Sequence, residues 1–178
     1  MTGPIRVLLA DDQRVVRDGL TLLLGLLPGI EVLDAACDGA QAVELARRLR
    51  PDVVLMDLRM PRCDGVEATR RLREREPGVK VIVLTTYADD RSVIDALRAG
   101  ARGYLTKDAG ADEIRRALEQ VVSGQAVIDP AVQHHLVDAI AVTPPPPATR
   151  PPPRPRPQSR LALNWPALTR LARPRPAR

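Results

Sequence analysis

Three aspartates and one lysine each stand at the end of an apolar run. Asp57 follows Val53-Val54-Leu55-Met56, Asp11-Asp12 follow Ile5 to Ala10, and Lys107 follows Gly103-Tyr104-Leu105-Thr106. Thr85 closes a fourth run that begins at Lys80. Taken singly, each has an ordinary explanation. An aspartate leaving a strand caps a turn or the next helix, a lysine sits on a surface, and a threonine is a β-branched strand residue. Taken together, they place four functional types at the exits of separate strands. If those strands are parallel neighbours, the side chains meet at one edge of one sheet. Two unit charges ~4 Å apart interact by roughly 4 kcal/mol at an effective dielectric of 20. Three clustered carboxylates must therefore recruit a cation or shift a pKa. Oxygen ligands that leave room for water and phosphate suit Mg²⁺. A carboxylate can then serve as nucleophile and form an aspartyl-phosphate. Lys107 could pair with the phosphoryl oxygens and the Thr85 hydroxyl could donate to one of them, a chemistry made mostly of positioning and charge stabilisation.

The elements that would position these groups alternate five times. Ile5–Ala10 reads as a buried strand. Residues 13–27 follow with Val16, Leu20, Leu23 and Leu27 on one helical face, stopped by Pro28-Gly29. Residues 31–37 predict a second strand and 41–49 a second helix. The third strand covers 53–57, and a helix with a charged face covers 65–76, with Val66, Ala68, Thr69 and Leu72 available for packing. Residues 80–85 predict the fourth strand, and Asp89-Asp90 open a helix containing Val93, Ile94 and Leu97. Residues 103–106 predict the fifth strand. The last helix carries Ile114, Ala117, Leu118, Val121 and Val122 at helical spacing. Such a (βα)5 alternation predicts an α/β fold with a doubly wound parallel sheet covered by helices on both faces. With right-handed crossovers the flavodoxin-like order 2-1-3-4-5 is expected. Its switch point falls between strands 1 and 3, where Asp11-Asp12 and Asp57 stand.

The bulk composition separates two parts. Of 178 residues, 44% are hydrophobic, yet the only aromatics are Tyr87, Tyr104 and Trp165. The core must be aliphatic, and a stacking platform for single-stranded nucleic acid is excluded. The formal charge of +5 conceals a net −3 over residues 1–142 and +8 over 143–178, where 12 of the 18 prolines also lie. The domain reading is 1–128 for the globular part, 129–142 for a helical linker and 143–178 for a basic Pro/Arg-rich disordered tail. Cys37 and Cys63 lack metal-ligand spacing and read as reduced thiols. No signal peptide is seen, and Leu20 to Leu27 is too short to span a bilayer, so a cytoplasmic protein without membrane contact is expected. His134 and His135, on the linker, read as solvated or dimer-contact residues.

The stretches Val7-Leu8-Leu9-Ala10-Asp11-Asp12, Asp57-Leu58-Arg59-Met60-Pro61-Arg62-Cys63-Asp64-Gly65, Leu84-Thr85-Thr86 and Ala99 to Asp108 resemble the receiver domain of bacterial two-component response regulators, specifically the NarL/LuxR type. The resemblance runs from about residue 5 to 142. It implies that Asp57 is the phosphoacceptor for a sensor histidine kinase. Asp11 and Asp12 would be the acidic pair that holds Mg²⁺ with Asp57, Asp12 most directly, and the backbone carbonyl of Arg59 would be a further ligand. Thr85 would be the switch hydroxyl, Tyr104 the switch aromatic and Lys107 the phosphate-pairing lysine. Arg59 and Tyr87 sit where receivers vary to set the lifetime of the phosphate. The output surface would be the fourth helix, fifth strand and fifth helix, and a homodimer could form there or through the linker helix. Beyond its own Mg²⁺-dependent phosphorylation and dephosphorylation, no enzymatic activity is expected.

Family members regulate transcription through a helix-turn-helix domain that binds DNA. No such domain is recognisable in residues 143–178, whose Arg, Pro and Ala bias suggests a frame-shifted or truncated product. The tail reads as solvated in preference to a non-specific nucleic-acid arm. The enzymatic alternative is a phosphohydrolase with an aspartate nucleophile. Haloacid-dehalogenase-type enzymes usually place a second Asp two residues after the nucleophile as acid/base, where this chain has Arg59. A nucleotide-binding module would need a glycine-rich turn after the first strand, and Asp11-Asp12-Gln13 occupies that turn.

Overall fold

The computed structural model describes residues 3–86, 90–128 and 130. The tail 143–178, Tyr87, and the linker 129–142 apart from Pro130, with both histidines, lie outside the described residues. The elements run β1 (Ile5–Ala10), α1 (Arg14–Gly25), β2 (Ile30–Ala36), α2 (Gly39–Leu49), β3 (Val53–Met56), α3 (Gly65–Arg75), β4 (Lys80–Thr85), α4 (Asp90–Ala99), β5 (Gly103–Thr106), α5 (Ala111–Val122) and β6 (Val127–Ile128). Every ladder is parallel and the sheet order is β2-β1-β3-β4-β5-β6. The flavodoxin-like (βα)5 arrangement expected from the sequence is present, extended by one strand.

Alternation along the strands divides the core between the two faces of the sheet. Val7 and Leu9 of β1, Leu55 of β3, Ile82 and Leu84 of β4 and Leu105 of β5 pack with Leu24 of α1 and Ile114, Ala117, Leu118 and Val121 of α5. On the opposite face, Leu8, Ala10, Val54 and Met56 meet α2 and α3. Val83 and Tyr104 meet Val93 and Ala96 of α4. The central strands β3 and β4 are apolar on both faces because helices cover both, and so they read as near-continuous hydrophobic runs, whereas the edge strand β2 carries Glu31 and Asp34. The register Ala10↔Met56 brings the ends of β1 and β3 level, and Thr85↔Thr106 does the same for β4 and β5.

Three local departures from the sequence reading have physical causes. The sixth strand, Val127–Ile128, is too short to show any periodicity. It exists because its backbone completes the β5 ladder, with the Val127 N–H donating to the Arg102 carbonyl at 3.0 Å. In α1 the fully buried residue is Leu24, while Val16, Leu20, Leu23 and Leu27 are half-buried and Val15, Leu22 and Leu26 are exposed. A leucine-rich helix gives several equally apolar stripes, and only tertiary packing chooses among them. Helix α2 begins two residues earlier than its apolar pattern, at Gly39. Asp38 caps it by accepting from the Gln41 N–H at 2.8 Å, while the Gln41 side chain accepts from the Cys37 N–H at 2.8 Å. This near-reciprocal arrangement satisfies donors that would otherwise be orphaned at the helix start. Gly39 is required there, because a Cβ would lie 2.6 Å from the Cys63 carbonyl oxygen. Both cysteines are free, and burial pushes the Cys63 thiol above its ordinary pKa.

The buried Asp38 carboxylate also pairs with Arg62, whose own backbone is left-handed at φ 66°. The hydrogen bond from Gln41 and the Arg62 charge hold its pKa below the ordinary carboxylate value. The stabilisation it contributes is therefore present at neutral pH and lost as pH falls through the acid range. Asp38→Ala is expected to cost about 1–2 kcal/mol at pH 7. In urea unfolding the gap to the unsubstituted chain should narrow steadily below about pH 4. A penalty that is constant with pH would show that the side chain acts by packing alone.

Candidate functional site

The ends of β1 and β3 lie side by side, and two backbone hydrogen bonds fix the residues just past them. The Asp57 N–H donates to the Ala10 carbonyl at 2.8 Å and the Asp11 N–H to the Ala36 carbonyl at 3.1 Å. Asp57 is thus pinned one residue past β3, and Asp11 one residue past β1, at the same edge. One carboxylate oxygen from each of Asp11, Asp12 and Asp57 lies within 4.8 Å of the others. Asp11 and Asp57 are buried, and Asp12 is exposed at the mouth. Lys107, one residue past β5, places its Nζ 2.6 Å from Asp11 Oδ2 and 3.3 Å from Asp57 Oδ2. Its backbone N–H donates to the Thr85 carbonyl at 2.9 Å, which ties the exits of β4 and β5 together.

Each buried carboxylate has one oxygen held by backbone. The Leu58 N–H donates to Asp57 Oδ1 at 2.9 Å, and the Gln13 N–H to Asp11 Oδ1 at 2.9 Å. The other oxygen of each faces Lys107. With three carboxylates and one ammonium the cluster carries a formal charge of −2. Burial raises the Asp57 pKa, and the Asp11 charge raises it further, against the opposing pull of Lys107. Ionising this carboxylate therefore carries a cost that a second cation would relieve.

The structure brings together Asp11, Asp12, Asp57 and Lys107. It places Thr85 at the buried exit of β4 beside them in the sheet order. Tyr104 is fully buried, packed with Leu58, Val83, Val93 and Ala96. Arg59 is exposed in the β3–α3 loop, two residues beyond Asp57.

Sequence reasoning missed the roles of four supporting residues. Arg17 Nη1 donates to the carbonyls of Asp11 and Asp12 at 2.7 and 3.0 Å, and so fixes the acidic turn from α1. Gly65 opens α3 directly against Asp57, and a Cβ there would overlap the Asp57 carbonyl oxygen. Its N–H donates to the Leu58 carbonyl at 3.0 Å. Asp38 and Arg62 link the β2–α2 and β3–α3 loops that flank the site. The first of these had a positional signal, an arginine one helical turn into α1, but nothing in a sequence says which carbonyls a side chain will reach.

Residues 7–119 match the family of the response regulator receiver domain. The chain belongs to that family. It is 43% identical over 132 residues to the response regulator GacA of Pseudomonas aeruginosa, covering 74% of this chain and 62% of that protein. It is also 43% identical over 133 residues to the transcriptional regulatory protein DegU of Brevibacillus brevis, covering 75% and 56% respectively. The chain thus spans less than two thirds of these curated relatives. Among solved structures, a LuxR-family two-component response regulator from Aurantimonas sp. SI85-9A1 superposes with a TM-score of 0.73 at 31% identity, over 78% of this chain and 99% of that one. The receiver domain of the response regulator NarL from Mycobacterium tuberculosis gives 0.67 at 34%, over 69% and 99%. Among the described residues no helix is long and apolar enough to cross a membrane.

The raised pKa of Asp57 carries a stability consequence. A carboxylate that is harder to ionise in the folded state destabilises the fold at neutral pH, and the loss is recovered as pH falls through the folded-state pKa. Asp57→Asn leaves Lys107 its 2.6 Å partner in Asp11. In metal-free buffer at pH 7.5 the variant should melt roughly 2–4 °C higher, ~1 kcal/mol for a chain of this size. The difference should shrink towards pH 4. A variant that melts lower at neutral pH would show that the Lys107 bridge outweighs the burial of the charge and its repulsion by Asp11.

Proposed function

We propose that the chain is a phosphoaccepting receiver in which Asp57 takes a phosphoryl group from a histidine of a sensor kinase. The observation that supports this most directly is the Lys107 ammonium spanning Asp11 and Asp57 beside a third, exposed carboxylate. An Asp57 oxygen attacks phosphorus, a P–O bond forms as the P–N bond breaks, and the electron pair leaves with the imidazole. Lys107, already 3.3 Å from Asp57 Oδ2, pairs with a phosphoryl oxygen of the product. The Thr85 hydroxyl donates to another, and the movement of Thr85 releases space that Tyr104 follows. The donor set is all oxygen, gathered within 4.8 Å and open on the Asp12 side, which fits Mg²⁺. Asp11, Asp12, Asp57 and the Arg59 carbonyl would hold the ion, which neutralises phosphoryl oxygens when bound.

The output surface in this reading is α4, β5 and α5, through which copies of the chain pair, with the 129–142 linker as the second possible contact. Contacts to the phosphate at Thr85 and Lys107 must be better in one conformation than the other, or the population does not shift. Residues 1–128 form the receiver. Transcription control and DNA binding belong to the longer relatives. For this chain they require residues beyond the receiver. No catalysis beyond its own phosphorylation and dephosphorylation is proposed, since Arg59 stands where a hydrolase would carry its acid/base aspartate.

Incubation of the full chain with Mg²⁺ and acetyl phosphate should add one phosphoryl group by intact mass, labile to hydroxylamine. Asp57→Asn and chelation of Mg²⁺ should each abolish it. Uptake by Asp57→Asn would refute the nucleophile assignment, and many turnovers of a phosphomonoester would favour the hydrolase instead.

A further inference from the structure

A second site stands at the opposite end of the sheet. A cleft of about 540 Å³ opens between α3 and α4 at the entry of β4 and β5. Its walls include Val79, Val81 and Leu97, and its charged lining consists of Arg73, Lys80 and Arg102, with no acidic residue among the described lining groups. None of the three cations makes a salt bridge to a described residue. Lys80 and Thr85 bound the same strand, so the cleft lies ~16 Å from the aspartate cluster at 3.3 Å per residue.

The Arg73 side chain and the backbones of Lys80 and Arg102 are held in place. Arg73 Nη1 donates to the Arg98 carbonyl at 3.3 Å, which lays its stem across the end of α4. Gly100, at φ +116°, makes room for that stem, because a Cβ there would lie 2.6 Å from Arg73 Cδ. The backbone of Arg102 is fixed on both sides, donating to Val81 at 2.8 Å and accepting from Val127 at 3.0 Å, while its side chain is exposed. Lys80 is half-buried at the start of β4, its N–H on the Asp52 carbonyl at 3.1 Å.

Two helices, α3 and α4, end at this cleft. Each C-terminus carries roughly −0.5 elementary charge. That offsets only about one of the three positive charges, and about two remain unbalanced by any described acidic group. A dianion satisfies that remainder. Arginine forks match the paired oxygens of a phosphate, and the aliphatic wall asks for an organic body. No aromatic side chain lines the cleft, so a stacked base is not what it selects. The volume falls in the range of small-molecule sites. We propose that the α3–α4 cleft binds a small phosphate monoester or diphosphate with a non-aromatic body, held by Arg73, Lys80 and Arg102.

The test is an amide NMR titration of the full chain with n-butyl phosphate, pyrophosphate and citrate in magnesium-free buffer, repeated on Asp57→Asn so that the aspartate site cannot contribute. Butyl phosphate and pyrophosphate should shift the amides of residues 79–81 and 100–103 saturably, with a Kd below ~1 mM. Arg102→Glu and Lys80→Glu, both outside the core, should each weaken binding at least ~10-fold with spectral dispersion unchanged. The proposal falls if those amides do not move by ~10 mM ligand, if shifts centre on residues 11, 57 and 107, or if the charge reversals leave affinity unchanged. Citrate binding as tightly as the phosphates would overturn the ligand class. Failure here leaves the phosphorylation of Asp57 untouched, since that is read separately by mass.

Discussion

One ammonium between two buried carboxylates is the contact on which the rest of this molecule turns. Lys107 Nζ reaches Asp11 at 2.6 Å and Asp57 at 3.3 Å, and it is itself only 12% exposed. Charges so poorly hydrated are held only where attraction and hydrogen bonding together offset their desolvation. Here each carboxylate commits one oxygen to a backbone N–H and the other to the lysine. One cation does not neutralise three anions, and burial keeps the Asp57 pKa raised against the pull of that lysine. The cluster is stable enough to exist and charged enough to need something more. A site in that condition favours a further cation.

That contact imposes a topology. Asp11, Asp57 and Lys107 come from three strands separated by long stretches of sequence, and only a parallel sheet puts the three exits on one edge. The backbone then removes most of the remaining freedom. Asp57 hangs from the Ala10 carbonyl, Lys107 from the Thr85 carbonyl, and Gly65 lets α3 begin against the Asp57 peptide where any side chain would collide. Arg17 ties the acidic turn to α1 from outside. Residues at a distance from the chemistry thus set its geometry, which is how positioning on the scale of a fraction of an ångström is obtained from a sheet of ordinary aliphatic strands.

The strands were legible because parallel strands buried on two faces are apolar throughout, and their polar terminators stand out against that background. Asp11, Asp12, Asp57, Thr85 and Lys107 stand out in the sequence for this reason, and the family resemblance adds the roles expected of them. What could not be read depended on contacts distant in sequence. Val127–Ile128 forms a strand only because Arg102 and Tyr104 present an edge. Leu24, not its equally apolar neighbours, is buried because of how α1 lies against the sheet and α5. Asp38 looks like any capping aspartate until Arg62 arrives from a loop 24 residues later. The Arg73–Gly100 contact joins a charged helix face to a turn, and neither half carries a signal by itself.

The parallel arrangement also makes the two edges of the sheet electrically different. Each crossover helix begins near the carboxyl ends of the strands and returns to the amino ends, so the edges carry opposite partial charges. At the carboxyl edge, α2 and α3 already have aspartate caps in Asp38 and Asp64, whereas α1 has no side-chain cap from Gln13. The start of α1 faces Asp11, whose carboxylate accepts from the Gln13 N–H. The positive end of α1 is thereby applied to the acidic cluster, and it lowers the cost of assembling anions there without neutralising them. At the amino edge the helix ends favour cations, and Arg73 of α3, Lys80 of β4 and Arg102 just before β5 stand there. The difference between the edges lies in how far the side chains overshoot the helix ends. Three carboxylates exceed what one lysine and one helix start can balance, and three cations exceed what two helix ends can. Each edge is left with a charge opposite to that of its helix termini. A fold built from uniform parts thus carries excess charge of opposite sign at its two edges, buried in the aspartate cluster and largely exposed in the α3–α4 cleft.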